Sequence, residues 1–243
     1  MNTLGYKQYH HRHLPHIHTP GHTFLVTYRL ADSIPVSVFR QYEAEKKWLE
    51  QKLQQVTKLT DSSKDEEPQA VREKWEESQR QWFFKLEEIL DRAGTGPMWL
   101  QEKRLAKIVA DNLHYHDQTA YHLHAYCIMS NHVHLVLTPF LNEAELQEGH
   151  NETGHLTFSS KYPSLSRIMH SLKSYTAKQC NKVLGRQGRF WSEESFDHTI
   201  RAGRFEKTIN YVLQNPVKAG LVNDWQDWEW SYKQECTTGG PPV

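Results

Sequence analysis

Cysteine is scarce in this chain: Cys127, Cys180 and Cys236 are odd in number and far apart. That spacing excludes a disulfide framework and a Cys-x-x-Cys metal site, and it fits a reducing cytoplasm. No run of about 18 apolar residues occurs, so no membrane-spanning helix is expected, and the N-terminal segment lacks the apolar core of a secretion signal. There is no net charge either, since 29 Lys and Arg offset 29 Asp and Glu; the overall balance neither favours nor excludes a polyanionic partner. The balance breaks down locally. From Lys161 to Lys218, eleven basic residues stand against four acidic ones, an excess of seven. Such a stretch suits contact with phosphates or a solvated helix surface.

The 243 residues suffice for one large domain or two small ones. The first 22 residues carry His10, His11, His13, His16, His18 and His22 among Pro15, Pro20 and Gly21, which predicts an extended arm with adventitious metal affinity. Thr23–Leu30 is rich in aromatic and β-branched residues and reads as a strand. Val36–Lys58 and Ala70–Asp91 are charged segments with apolar residues at helical spacing (Trp48, Leu49, Leu53; Trp82, Phe83, Leu86, Leu90), separated by a polar turn at 61–68. They predict a helical hairpin inserted at 36–92, serving for packing or spacing or as a DNA- or partner-binding arm. Gly94 to Pro97 breaks the chain, and Trp99–His114 reads as an amphipathic helix.

Tyr121–Met129 and His132–Thr138 read as two strands joined at Ser130-Asn131, a turn or a bulge with the register open. Asn142–Tyr162 reads as a polar loop. Ser164–Leu184 is the clearest helix, with the stripe Leu165, Ile168, Met169, Leu172 and Val183 and a terminating Gly185. Ser195–Ile200 reads as a short strand, Arg204–Asn215 as a helix stopped at Pro216, and 224–243 as a C-terminal tail. The order of elements predicts a single α+β domain over 1–243 with a small, mostly antiparallel sheet.

The chemistry is concentrated in the segment Tyr-Cys-Ile-Met-Ser-Asn-His-Val-His-Leu-Val-Leu-Thr at 126–138. On a strand, His132 and His134 point to one face and Val133 to the other. Two neutral imidazoles side by side can grip a divalent cation; two hydrogen-bonded structural histidines are the alternative. A third ligand is needed, and the helix at 204–215 offers candidates. Tyr211 and Asn215 are four residues apart and share a face, with Lys207 one turn earlier. If that face covers the histidines, Asn215 supplies an amide oxygen and Tyr211 a nucleophile; otherwise Tyr211 is a packing residue. Tyr175 is the rival nucleophile, but it extends the apolar stripe of its helix and is expected in the core. Arg167, Lys173, Lys178, Lys182, Arg186 and Arg189 suit a phosphate-contacting groove. Phe190 or Trp191 is either a base-stacking platform or core.

The segment 126–139 resembles the HUH signature of single-tyrosine transposases. Phe190-Trp191, then Ser195 to Arg201, then Tyr211-Val-Leu-Gln-Asn-Pro-Val-Lys-Ala-Gly-Leu-Val222 resemble the REP-associated tyrosine transposases. The helical insertion and the His-rich arm have no counterpart in that resemblance. It implies a ferredoxin-like sandwich and metal-dependent cleavage and rejoining of single-stranded DNA near hairpins through a 5′-phosphotyrosine. His132, His134 and Asn215 would hold Mg²⁺ or Mn²⁺, and Tyr211 would attack. Hairpin or single-stranded DNA would be the partner of a monomer or homodimer, in the bacterial cytoplasm at the nucleoid. A non-catalytic, sequence-specific DNA-binding protein of the same fold and a phosphodiesterase without a covalent step are the other readings. A plasmid replication initiator would be a variant within the class, but no fused helicase segment is present.

Overall fold

The computed structural model describes residues 8–11, 15–18, 21–59, 69–92, 94–140, 147–150, 156–159 and 164–235. In chain order its elements are β1 (Gln8–His11), β2 (Pro15–His18), β3 (Phe24–Leu30), α1 (Val36–Leu59), α2 (Gln69–Asp91), α3 (Lys103–His116), β4 (Tyr121–Ile128) and β5 (His132–Pro139). There follow β6 (Gln147–His150), β7 (Leu156–Ser159), α4 (Leu165–Val183), β8 (Trp191–Thr199), α5 (Phe205–Leu213), α6 (Asn215–Lys218) and β9 (Ser231–Lys233). The chain forms two compact units, Asp32–Pro97 and the remainder. No helix among the described residues is long and apolar enough to cross a membrane.

The larger unit is an α+β fold on a five-stranded sheet ordered β8-β3-β5-β4-β9, with every pairing antiparallel. The path β3-α3-β4-β5-α4-β8 makes two crossovers, each between strands separated by one inserted neighbour, which is the split β-α-β arrangement of ferredoxin-like folds. Strand alternation assigns the faces. Phe24, Val26, Tyr28, Val133, Leu135, Leu137, Leu123 and Ile128 meet Leu105, Val109 and Leu113 of α3 and Ile168 and Leu172 of α4 in one core. Burying each such side chain contributes about 1.5–3 kcal/mol. The residues between them in sequence, among them Thr27, His132 and His134, project from the opposite face, where α5 packs across β4 and β5.

Several expectations need correction. The N-terminal segment is not a lone extended arm: β1 pairs with β2, placing Tyr9 opposite Ile17. The polar loop at 142–162 contains the β6–β7 hairpin, and its other residues lie outside those described, as does the tail from 236. The rest of that tail is structured. The Trp228 indole donates to the Ile128 carbonyl at 3.1 Å, and β9 then adds to β4. The strand read at 195–200 begins earlier, at Trp191, because that indole is buried and donates to Thr176 Oγ1 at 2.8 Å. The helix read at 204–215 ends at Leu213, just before Pro216, but Pro216 opens a further short helix. It stands in the first turn of α6, where no ladder N–H is required of it, and the chain ends that turn at Gly220 with φ 68°.

The unit Asp32–Pro97 is the expected helical hairpin. Tyr42 on α1 meets Trp82 on α2 edge to face, with centroids 5.2 Å apart. Lys85 lies over the same indole at 4.3 Å. Trp48, read from its spacing as part of the apolar stripe, is 57% exposed. Gly96 closes the base of the hairpin: at φ +76°, a Cβ there would lie 2.2 Å from the Asp32 carbonyl oxygen.

Candidate active site

His132 and His134 lie on β5, flanked by β3 and β4, so neither can move without disrupting the sheet. Both are wholly buried, as are Thr27, Asn131 and Asn215, and buried polar groups require partners. The His132 Nδ1–H donates to Asn131 Oδ1 at 2.7 Å. A carbonyl oxygen only accepts, so the other nitrogen of a neutral His132, Nε2, carries a lone pair. Cross-strand register sets Thr27 opposite His134, and its hydroxyl meets His134 Nδ1 at 2.9 Å. A hydroxyl can donate or accept, so Thr27 suits either tautomer of that ring.

The two Nε2 atoms face each other at 2.9 Å. With only lone pairs there, the contact would be repulsive; it needs a proton on His134 or a shared cation. Burial favours the neutral form of both rings. Burial, and secondarily the neighbouring His134, holds His132 well below the ordinary imidazole range. Burial, and secondarily the Lys218 charge, pushes His134 down to about 3. Two nitrogens each about 2.1 Å from one centre, at roughly a right angle, are about 3 Å apart, so the observed separation fits a common divalent cation.

Helix α5 brings Tyr211 to this pair. Its ring meets that of His134 edge to face at 5.9 Å, 77° between planes, and it is half-buried. One turn on, Asn215 turns its amide N–H groups back on the helix, to the carbonyls of Tyr211 at 2.9 Å and Val212 at 3.1 Å. Its Oδ1 is buried and has no hydrogen-bond partner. Such an orphan costs about 1–3 kcal/mol, and an amide oxygen of this kind is a competent ligand for a hard cation. The two imidazole nitrogens thus suit a divalent cation, and the unsatisfied amide oxygen is a donor of the kind such a cation takes.

Other predicted residues are distributed differently. Tyr175 is 51% exposed rather than in the core; Thr176, the next residue, takes the inward position and holds Trp191. Helix α4 packs on the sheet face opposite the imidazoles, so the sheet separates Tyr175 from them. Val183 is likewise exposed. Phe190 and Trp191 are both core, Phe190 stacking on Trp99 at 5.3 Å. Arg186 lies over Trp99 at 4.1 Å and donates to Asn181 Oδ1 at 2.8 Å, fixing the α4–β8 connection. Lys173 donates to the Glu193 carbonyl at 2.7 Å, and Arg189 faces the Glu193 carboxylate at 4.0 Å. Both line a groove of about 720 Å³ between α4 and β8 that Glu194 and Asp197 also border. Arg167, Lys178 and Lys182 are exposed on α4, and Lys207 is exposed on α5.

Three residues that complete the site were not singled out from sequence: Thr27, Asn131 and Lys218. Asn131 immediately precedes the first histidine, a signal available to inspection. Thr27 required the register. Lys218 stands seven residues after Tyr211 and three after Asn215, helical spacing hidden by the stop expected at Pro216. Its ammonium lies 4.2 Å from the centre of the Tyr211 ring.

No protein-family model matches the sequence, and no curated protein matches it. The chain is similar to a solved structure described as a REP-associated tyrosine transposase bound to a REP hairpin, with a TM-score of 0.44 and 12% identity over 98% of this chain and 99% of that one.

Proposed function

We propose that this protein is a metal-dependent transposase or endonuclease of the HUH single-tyrosine kind, cleaving and rejoining single-stranded DNA near hairpins. The observation that carries this reading is the convergence of the two His Nε2 atoms at 2.9 Å with the Tyr211 ring packed against one of them. An unsatisfied amide oxygen one turn on, at Asn215 in the first turn of α6, supports it.

The chain's own groups account for the steps. Tyr211 Oη forms a bond to the scissile phosphorus while the bond from phosphorus to the 3′-oxygen breaks. The phenol proton passes to solvent, and the 3′-oxygen takes a proton from water. One phosphoester replaces another, so an incoming 3′-hydroxyl can reverse the step and reseal the strand without a nucleotide cofactor. A phenol with a reference pKa of about 10 is a poor nucleophile near neutrality, so fixed positioning matters. Here the His134 edge and the fold of α5 onto the sheet hold the ring. His132, His134 and Asn215 would hold Mg²⁺ or Mn²⁺, which when bound withdraws charge from a phosphate oxygen. Asn131 and Thr27 orient the two imidazoles from behind.

Phosphate contacts are assigned to the exposed Arg167, Lys178, Lys182 and Lys207, and to Lys173 and Arg189 along the groove. Arg186 acts by holding the connection between them. Such contacts predict affinity that falls steeply with salt.

The test uses purified protein, Mn²⁺ and a panel of end-labelled single-stranded hairpin DNAs. A denaturant-stable protein–DNA adduct is expected with wild type, and none with Tyr211→Phe, which still binds the hairpin. Hairpin binding without cleavage would identify a DNA-binding protein instead. Cleavage that survives Tyr211→Phe would identify a phosphodiesterase without a covalent step.

A further inference from the structure

Lys218 is the last of the basic residues in the stretch from Lys161 to Lys218. It is exposed, and the structure gives it no carboxylate partner among the described residues. Its ammonium nevertheless rests on the Tyr211 ring at 4.2 Å, and its charge reaches His134. The position is enforced by the backbone. The Lys218 N–H donates to the Gln214 carbonyl at 2.9 Å, and the Ala219 N–H to that of Asn215 at 2.9 Å. The turn that buries Asn215 therefore also presents Lys218 to Tyr211.

Resting on the function proposed above, we infer that Lys218 is a positioning residue for Tyr211. It holds the ring by one face and supports negative charge on the phenol oxygen, both as the oxygen attacks phosphorus and as it departs during resealing. An ammonium over an aromatic face is attracted to it, and the attraction grows as charge develops on the ring's oxygen. Rotation about the end of the flexible lysine stem keeps the charge near that oxygen through the reaction. Lys218 neither takes nor gives the proton in this scheme. The phenol proton goes to solvent as before.

Three variants separate the possibilities: Lys218→Met keeps the stem without the charge, Lys218→Arg keeps the charge, and Lys107→Met removes a remote surface charge on α3. Single-turnover adduct formation at saturating hairpin DNA is measured alongside hairpin affinity. K218M is expected to slow adduct formation about 10- to 100-fold with hairpin affinity changed less than about twofold. K218R should restore the rate to within about threefold, and K107M should leave it unchanged. An unaltered rate in K218M, or a loss confined to DNA affinity, overturns the inference. A second measurement needs no DNA chemistry: modification of Tyr211 by an aryl sulfonyl fluoride, followed by peptide mass spectrometry. Tyr211 labelling should fall about tenfold in K218M and recover in K218R; equal labelling in wild type and K218M overturns the inference. If wild type forms no adduct, the proposed function fails by itself, and the labelling still decides the role of Lys218.

Discussion

Replacing Thr27 by Val isolates the support behind one imidazole. The side chains are nearly the same shape, the site is fully buried, and only the hydroxyl that meets His134 Nδ1 at 2.9 Å is lost. In the protein without metal, that hydroxyl donates to Nδ1 while the His134 Nε2–H donates to His132 Nε2. Losing it leaves one buried acceptor unmatched and costs about 1–2 kcal/mol. With a cation in place of the Nε2 proton, Nδ1 carries the hydrogen and the hydroxyl must accept it. Valine then leaves a buried donor unpaired in the loaded state. Both states lose a hydrogen bond, but the Thr27 hydroxyl also fixes the tautomer and orientation of the liganding ring, so Mn²⁺ affinity should fall about 10- to 100-fold. Thr27→Ser, which keeps the hydroxyl, should lose less than about threefold. Calorimetric titration of Mn²⁺ into the three proteins at pH 7.5 measures this, with urea unfolding to separate stability from affinity. Equal Mn²⁺ affinity for Thr27→Val and wild type would refute the assignment of His134 as a ligand oriented by β3.

Asn215→Asp exchanges the orphaned amide oxygen for a carboxylate. Calorimetry should show Mn²⁺ binding roughly tenfold tighter, while thermal melts without metal show a loss of about 1–3 kcal/mol from the uncompensated buried charge. Stability should also depend on pH. His134 is held at about 3, and burial, with the His122 charge second, holds His124 at about 4. Both stay neutral in the folded state while the unfolded chain protonates below about 6.5. The unfolded state thus binds more protons in this window, and stability is fully present above about pH 6.5 and falls as pH drops toward 4. Urea midpoints at pH 7.5, 5.5 and 4.5 should decline in that order; a flat series contradicts the neutral assignment. Gly96→Ala combines a positive φ with a Cβ 2.2 Å from the Asp32 carbonyl oxygen and 2.7 Å from the Ser33 Cα. Neither obstacle is a flexible side chain, so the unit Asp32–Pro97 should lose about 2–4 kcal/mol, visible as faster hydrogen exchange there than in the sheet.

How much of this was legible in the sequence depends on the range of the interaction. His132 and His134 were visible because strand alternation is local. Tyr211 and Asn215 were visible because helical spacing is local. Thr27 was not, because nothing in Thr-Phe-Leu-Val-Thr-Tyr-Arg-Leu says which residue will lie opposite a histidine more than a hundred positions away. Lys218 was masked by reading Pro216 as a stop, although proline suits the first turn of a helix as well as it ends one. Strand β9 was missed because Ser-Tyr-Lys has little strand character of its own, and its place is secured by the Trp228 indole bonding to β4. Tyr175 was misread because a residue at the margin of a stripe is decided by its neighbours. Thr176, buried through its bond to Trp191, took the place expected for it.

The short turn between β4 and β5 has a consequence for how this chain tolerates change. The Leu30 N–H donates to the Asn131 carbonyl at 2.8 Å, and the Leu100 N–H donates to the Ser130 carbonyl at 3.1 Å. The chain therefore leaves β3 and re-enters the larger unit ahead of α3 at adjacent carbonyls of one turn, the same turn whose Asn131 side chain orients His132. With both ends anchored there, the entropy of closing the intervening segment grows only slowly with its length. The length of that segment therefore bears only weakly on the turn that orients His132.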